Sequence, residues 1–322
     1  MSDTFQELMA KQQRSRMWLY GLLILFTTVP LYFSVELPTQ PSASVIDLFA
    51  TLQALPDGST ILVESDWTNS TRGESGGQFE AAMRILMRKN IKFAVYAAAD
   101  PQAPQVARDA IGRINQERVL KGLPPYKKWV DWVEVGFFPN LEGTANAMAV
   151  DLRKAWAGKK DMNENGKFED VFSSPVLKDV RLVGDAKLLL NLTGSNTINT
   201  LIERLYGKVN IASMCTGVMG PETLIYYQSG QLKGVSVGLK GVYDIETCMN
   251  YGVNVPGPNG GEPKVKYNKI EGEVPGFPGM TNYDRGEKYY VSLHSGLILL
   301  IVAVILGNVQ MLRSKKKEAK QA

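Results

Sequence analysis

The sequence contains almost no histidine. Its 322 residues include one, His294, which lies at the start of the last apolar stretch. A Ser/His/Asp or Cys/His catalytic arrangement needs a histidine in the globular part of the chain, and so does a histidine-based metal site. The commonest hydrolase mechanisms are therefore excluded for the region between the two apolar ends.

Cysteine is nearly as scarce. Cys215 and Cys248 are the only two, and the charge pattern described below places both outside the cytoplasm, where disulfides form and persist. A bridge closing a loop of this length would stabilise the fold by about 3 to 4 kcal/mol in the chain-entropy model. The sequence allows either a Cys215–Cys248 disulfide or two buried free thiols.

The chain also lacks a strong charge imbalance. It has 36 Lys and Arg against 32 Asp and Glu, with 44% hydrophobic and 21% charged residues. This is ordinary globular composition, and much of the basic surplus lies at the two ends. We therefore expect no nucleic-acid partner.

The longest apolar stretch runs from Tyr289 to Leu312. About 20 apolar residues are enough for a helix to cross a bilayer, so we predict a transmembrane helix over 289–312 rather than a buried helix of a soluble protein. A basic tail follows it, with Arg313, Lys315, Lys316, Lys317 and Lys320. Such a cluster marks the cytoplasmic side, which predicts a cytoplasmic tail over 313–322.

A second apolar stretch, 18–35, follows Lys11, Arg14 and Arg16. The same charge rule predicts a cytoplasmic N-terminus over 1–17 and a second span. A cleavable signal peptide is the alternative, with Ser42-Ala43-Ser44 as the cleavage site. In both cases the region 36–288 lies outside the cytoplasm, anchored in the plasma membrane and ending in a Pro/Gly-rich arm over 252–288.

Short apolar runs alternate with helical patterns in this central region. We predict strands at Thr60 to Ser65, Ile91 to Ala97, Trp129 to Phe138, Lys187 to Leu192 and Val209 to Ser213. Helices of ten or more residues separate most of them. This alternation predicts an α/β fold with a doubly wound, mainly parallel sheet, Rossmann-like or flavodoxin-like, flanked by N- and C-terminal transmembrane helices.

The segments after the predicted strands suggest a ligand site. In an open parallel sheet, ligands bind outside the carboxyl ends of the strands. Two of these segments lead into helix N-termini, which favour an anion such as a phosphate or carboxylate. The candidate ligand-binding residues are Asp66, Ser75, Gly76, Gly77, Thr193, Gly194, Ser195 and Thr216. Ordinary turn chemistry is the alternative explanation, because Gly, Ser and Thr are common in strand-to-helix turns.

An acidic, glycine-containing loop resembles the start of a calcium site. Oxygen side chains at positions 1, 3 and 5, a carbonyl at 7 and an acid at 9 match the pattern, but position 12 is Phe172 instead of glutamate. The candidate ligands for Ca²⁺ are Asp161, Asn163, Asn165, Lys167 and Glu169. The alternative is an Asn/Gly-rich surface turn.

Glycine recurs at about every fourth residue near the end of the domain. We predict a helix from Gly230 to Tyr251, on which Gly230, Gly234, Gly238 and Gly241 form a smooth face for close approach of another backbone. That face suggests self-association. The alternative is tight packing of this helix on the domain's own sheet.

The segment Ser229-Gly230-Gln231-Leu232, with Gly234, Gly238-Leu239 and Gly241, carries a family resemblance. Together with the Trp132 to Gly136 strand and the terminal span, it resembles a group of prokaryotic membrane-anchored proteins that have no known activity. The resemblance implies a prokaryotic membrane protein and nothing about chemistry.

Our leading expectation is a membrane-anchored, extracytoplasmic interaction or scaffold subunit that is oligomeric and non-enzymatic. Its partners would be the lipid bilayer and either a second copy or other membrane proteins. The first alternative is a sensor domain that binds a small anionic ligand. The second is a histidine-independent enzyme with Asp66 or Asp100 as acid or base.

Overall fold

The structure is a computed structural model that describes residues 2–33, 37, 39–255, 264–268 and 285–321. It divides into two compact units, one formed by 1–38 with 287–322 and the other by 39–286. Most of the Pro/Gly-rich arm predicted over 252–288 lies outside the described residues.

The 39–286 unit is built around a sheet of parallel strands. In chain order the strands are β1 (Thr60–Asp66), β2 (Lys92–Ala97), β3 (Trp132–Phe137), β4 (Lys160–Met162), β5 (Phe168–Asp170), β6 (Leu189–Thr193), β7 (Ile211–Cys215), β8 (Val235–Val237), β9 (Val253–Val255) and β10 (Lys264–Tyr267). Six of them form one sheet in the order β3-β2-β1-β6-β7-β8, and every neighbouring pair is parallel. The predicted α/β class with a mainly parallel sheet is confirmed.

Helices cover both faces of this sheet. In chain order the helices of the whole chain are α1 (Ser2–Tyr32), α2 (Ala43–Gln53), α3 (Gly77–Arg88), α4 (Ala103–Leu120), α5 (Leu141–Val150), α6 (Leu152–Ala155), α7 (Ile198–Leu205), α8 (Gly220–Gln228), α9 (Gly238–Tyr251) and α10 (Arg285–Gln321). Helices α2, α3, α4 and α9 contribute to the core on one face, and α5, α6 and α7 to the core on the other.

Strand alternation assigns each side chain to one of these cores. In β1, Ile61 and Val63 belong to the α3 side, whereas Leu62 between them belongs to the α7 side. All three are fully buried. A parallel strand covered on both faces has no solvent side, which is why apolar residues follow one another without alternation in the first half of β1.

The helix predicted from Gly230 to Tyr251 is wrong over its first third. Gly230 lies in the turn after α8, and residues 235–237 form β8, the edge strand next to β7. The helix begins only at Gly238. Val235 is fully buried in the sheet, so tertiary pairing overrides the helical spacing of the apolar residues in this segment.

The helical segment that follows β3 is broken at one residue. Asp151 has an extended backbone, with φ −157° and ψ 108°, and separates α5 from α6. Its side chain accepts a hydrogen bond from the backbone N–H of Lys154. The aspartate therefore caps a new helix instead of continuing the first.

The unit formed by 1–38 and 287–322 contains α1 and most of α10. The two helices contact each other through a hydrogen bond from Ser292 Oγ to the Thr27 carbonyl at 2.6 Å. Among the residues that the structure describes, the segment Arg285–Val309 is the one helix long and apolar enough to cross a membrane, judged by length and composition. The apolar part of α1, Arg16–Tyr32, is shorter. At 1.5 Å per residue it extends about 25 Å, less than a hydrocarbon core of about 30 Å. The predicted N-terminal span over 18–35 is therefore not supported.

Candidate functional site

The carboxyl edge of the sheet brings together most of the predicted ligand residues. Strand β1 lies in the middle, with β2 and β3 on one side and β6, β7 and β8 on the other. Crossovers therefore run in opposite directions from β1, and ligands of parallel sheets bind at such a reversal. Asp66 and Thr193 end β1 and β6 as partners in register, while Ser75 and Thr216 lie in the segments after β1 and β7.

A buried row of polar side chains crosses the sheet one or two residues before the strands end at this edge. Tyr96, Glu64, Asn191 and Ser213 are consecutive partners in register on β2, β1, β6 and β7, and each is at most 1% exposed. Asn191 Nδ2 donates to Glu64 Oε2 at 2.5 Å and to Thr197 Oγ1 at 2.8 Å. Ser213 Oγ donates to Asn191 Oδ1 at 2.9 Å. Asn191 thus satisfies both ends of its amide inside the sheet.

Glu64 is placed to be a neutral carboxylic acid. Burial raises its pKa well above the usual value, and the charge of Asp66 and a hydrogen bond to it raise the pKa further, against the opposing bonds from Asn191 and Thr197. Oxygen Oε1 accepts no hydrogen bond from any described residue. A buried carboxylate oxygen without a donor is costly, whereas a protonated one can donate to Asp66.

Asp66 carries the charge of this pair. Its carboxylate accepts hydrogen bonds from the backbone N–H of Ala98 at 2.9 Å and of Ala99 at 2.9 Å, in the segment after β2. These bonds lower its pKa, but burial is the larger effect and the pKa is raised overall. Asp66 therefore fastens the ends of two strands together, which is a structural role.

Residues 67–76, which we call the covering loop, lie over the carboxyl edge. The loop consists of a 3-10 turn, Asn69–Thr71, and a π-helical turn, Arg72–Gly76. Glu74 Oε2 accepts a hydrogen bond of 2.7 Å from the Gly217 N–H, after β7. A Cβ on Gly194, after β6, would lie 2.9 Å from Thr71 Cγ2. The Glu74 carboxylate thus accepts the hydrogen bond of the Gly217 N–H, next to Thr216, where an anionic ligand was predicted.

The predicted ligand glycines beside the covering loop serve packing. A Cβ on Gly77 would lie 2.8 Å from Val242 Cγ1, so the glycine lets α3 approach α9 closely. A Cβ on Gly76 would lie 3.2 Å from the Arg72 side chain and 3.4 Å from the Trp67 side chain. Ser75 is fully buried, and its hydroxyl has no hydrogen-bond partner among the described residues.

The Thr193 segment forms a local turn. Thr193 Oγ1 donates to the Ser195 carbonyl at 2.8 Å and accepts from the Ser195 N–H at 2.9 Å. The Thr216 N–H donates to the Thr193 carbonyl at 3.3 Å. These bonds are the turn chemistry that was the alternative to a ligand site. Binding at these residues stays a prediction.

Asp161, the first candidate calcium ligand, is turned toward the main sheet. It lies in β4 and is 4% exposed. Its Oδ2 accepts from the Glu134 N–H at 2.8 Å, and its Oδ1 pairs with Lys128 Nζ at 2.7 Å. Glu169, the acid at position 9, is its partner in register on the antiparallel strand β5.

The rest of the calcium loop is a hairpin turn. Asn163 Oδ1 accepts from the N–H groups of Asn165 and Lys167, both at 2.9 Å. Within the described ranges, no group of three or more His, Cys, Asp and Glu residues is placed to hold a metal ion. These contacts are typical of the surface turn that was the alternative interpretation. The calcium site stays a prediction.

Cys215 and Cys248 are both free and buried, which is the second of the two arrangements that the sequence allows. Met214 belongs to the core on the α3 side together with Cys248. Strand alternation turns the next residue, Cys215, to the opposite face. The sheet therefore separates the two thiols, and burial raises the pKa of Cys215 to about 11 and that of Cys248 to about 12.

The four predicted interface glycines do not share a helical face. Gly230, with φ +78°, has open space around it, whereas a Cβ on Gly234 would overlap the backbone of Leu48 in α2. A Cβ on Gly238 would lie 3.2 Å from the backbone of Gly217, and one on Gly241 would overlap Ser236. Three of the four thus allow close packing within the domain, which was the alternative interpretation.

Sequence reasoning missed the row of Glu64, Asn191 and Ser213. The available signal was a glutamate directly after the apolar run Ile61 to Val63 and an asparagine inside Leu188 to Leu192. No protein-family model, curated protein or solved structure matches the chain.

Proposed function

We propose that this protein is a membrane-anchored interaction subunit that displays its α/β domain on the extracytoplasmic side and acts by binding, without catalysis. The length and composition of Arg285–Val309 support the anchor. The basic residues after it, Arg313 and Lys315 to Lys317, support a cytoplasmic tail. Self-association, or association with other membrane proteins, is part of the proposal.

We further propose that the sheet is doubly wound and Rossmann-like. Its order, β3-β2-β1-β6-β7-β8, becomes 3-2-1-4-5-6 when only its own strands are numbered. That is the Rossmann order, and it differs from the flavodoxin-like order 2-1-3-4-5. Helices on both faces support the same assignment.

The observation that carries the binding role is the state of the carboxyl edge. In a sheet of this kind, catalytic or ligand chemistry takes place at the reversal point beside β1. Here the Asp66 carboxylate is engaged by two backbone N–H groups, and Glu74 in the covering loop takes the Gly217 N–H. Asp100, the other candidate acid or base, accepts from the Gln102 N–H. The carboxylates of Asp66, Glu74 and Asp100 are thus used in hydrogen bonds that hold the fold together.

Cysteine labelling tests the membrane placement. The native thiols give a low background because both are buried and have raised pKa values. In separate variants, Ala157→Cys places a thiol at an exposed position of the domain, and Ser314→Cys places one in the tail. We expect a membrane-impermeant maleimide to label Ala157→Cys in intact cells and Ser314→Cys only after permeabilisation. The reverse pattern would overturn the topology.

The interaction role is tested on the detergent-extracted protein. We expect a mass above that of one chain in chromatography with light scattering, or a second protein that purifies with it in stoichiometric amount. A strict monomer that purifies alone would contradict an interaction subunit while leaving the topology intact.

The hydrogen bond from Gly217 to Glu74 also favours a second candidate, a sensor for a small anionic ligand. In that case the ligand's carboxylate or phosphate would replace Glu74 at the Gly217 N–H. The variant Glu74→Gln removes the competing charge, so citrate should raise the melting temperature of the variant more than that of the wild type. Equal shifts would exclude this candidate.

A further inference from the structure

The amino edge of the sheet, opposite the carboxyl edge, contains a groove. Its volume is about 500 Å³, and it lies among the segments that lead into β6, β7 and β8. Lys187 lies before β6, Lys208 before β7 and Lys233 before β8, and all three line it. Sites for small molecules typically have volumes of about 300 to 1,000 Å³, so the groove is large enough for one.

The charge of the groove has one sign. Lys187, Lys208 and Lys233 are exposed, and the groove lining includes no aspartate or glutamate. The structure shows no ion pair within 4 Å for any of the three lysines among the described residues. The pKa of Asp185 is lowered mainly by hydrogen bonds from the backbone N–H groups of Leu182 and Arg181 to its carboxylate. The charge of the nearby Lys187 lowers it to a smaller extent.

The ends of two helices offset only part of this positive charge. Helices α7 and α8 both end at the amino edge, where their free carbonyl groups attract cations. Each helix end is equivalent to about half a negative charge, so two of them offset about one of the three lysines. The groove is therefore left with a net positive charge.

Two glycines of the groove lining have open space beside them. Gly207 and Gly230, after α7 and α8, both have φ +78° and have no atom within 4 Å of the position of a Cβ. Neighbouring strands are about 4.8 Å apart, so lysines before three adjacent strands can reach charged groups separated by a similar distance. Lysine binds phosphate as a compact point charge.

We propose that the groove of Lys187, Lys208 and Lys233 binds a small, soluble anion that carries at least two phosphate or carboxylate groups. The lysines and the groove shape lie entirely within the 39–286 unit. The proposal therefore goes beyond the interaction role and stands independently of the membrane topology. It places anion binding at the edge opposite the one that the sequence predicts.

Pyrophosphate is the probe. We expect the full-length protein in detergent to bind it measurably in isothermal titration at low salt, and more weakly as salt rises. Each substitution of Lys187, Lys208 or Lys233 by glutamine should weaken binding about fivefold, the upper end for an exposed ion pair. The triple variant should show no binding.

The matched controls are Lys127→Gln and Lys178→Gln, which remove exposed lysines outside the groove. They should bind pyrophosphate like the wild type. All variants should keep the wild-type melting temperature, because the substituted side chains are exposed. Absence of wild-type binding, or equal losses in groove and control variants, would overturn the proposal. Failure here would leave the membrane and interaction tests of the proposed function unaffected.

Discussion

The two edges of one sheet differ in both access and charge. The carboxyl edge has Glu64 and Asp66 buried beneath it and Glu74 bonded across it to Gly217. The amino edge has a groove of about 500 Å³ lined by three exposed lysines. Topology identifies the carboxyl edge as the place where such a sheet can bind a ligand. The comparison shows that the loops and side chains decide which edge is open.

The largest expected effect comes from breaking the buried row beneath the carboxyl edge. Asn191→Ala removes the donor to Glu64 and Thr197 and the acceptor of Ser213. Because these groups are buried and would lose their partner, we expect a loss of about 3 kcal/mol in the free energy of unfolding. Thermal unfolding of the detergent-solubilised protein, followed by circular dichroism, measures it.

The control for this prediction is Asn146→Ala on the exposed face of α5. It should leave the melting temperature unchanged or raise it slightly, since alanine favours helix. Equal effects of the two variants would mean that the polar row does not stabilise the domain.

Gly234→Ala tests whether the glycines near β8 serve packing or a subunit interface. A Cβ there would overlap the Leu48 backbone, and overpacking of this kind costs about 1 to 3 kcal/mol. We expect a lower melting temperature with no change in oligomeric state, measured by light scattering.

Gly112→Ala is the matched control, because this helical glycine has no neighbour within 4 Å. It should stabilise the protein by up to about 1 kcal/mol. Loss of an oligomer in Gly234→Ala at an unchanged melting temperature would restore the interface interpretation.

Glu64→Gln tests the proton held at the carboxyl edge. The folded-state pKa of Glu64 is raised, so its proton stabilises the fold below the unfolded pKa, and this contribution is lost as pH rises through the folded pKa. The variant keeps a neutral group at every pH. We expect the stability of the variant relative to the wild type to increase as pH rises above about 4.5, by at most about 1.4 kcal/mol per pH unit.

The measurement is the melting temperature of both proteins over a pH series. Asp66 is present in both, so the difference between the two curves isolates Glu64 unless the substitution changes the pKa of Asp66 strongly. A constant difference across the series would mean that Glu64 has the same protonation in the folded and unfolded states.

The smallest expected effect concerns the covering loop. Glu74→Ala removes the 2.7 Å bond to Gly217, and this partly exposed contact should contribute about 1 kcal/mol. We expect faster amide hydrogen exchange in residues 67–76 and at Gly217, measured by mass spectrometry, with little change in the amino-edge segments around Lys208.

Glu164→Ala, at an exposed turn position, is the control and should exchange like the wild type. Faster exchange at both edges of the sheet in Glu74→Ala would show that the two edges are not independent.

The sequence allowed the α/β class to be predicted because hydrophobic periodicity is local. Strands near Thr60 to Ser65 and Ile91 to Ala97 were placed within one or two residues of β1 and β2. The site was predicted less well. The position of Asp66 and Thr193 at one edge followed from the predicted parallel arrangement of the strands. The closure of that edge by Glu74 did not, because the bond joins residues 143 positions apart.

The sequence by itself determined which segments alternate between strand and helix and which terminal segment is apolar over about 20 residues. Both properties depend on neighbours within a few positions. Only the tertiary structure decided that Glu64, Asn191 and Ser213 form one buried row, that the two cysteines lie on opposite faces, and that three lysines share a groove. These depend on the register between strands distant in the chain, and register is set by the packing of the whole domain.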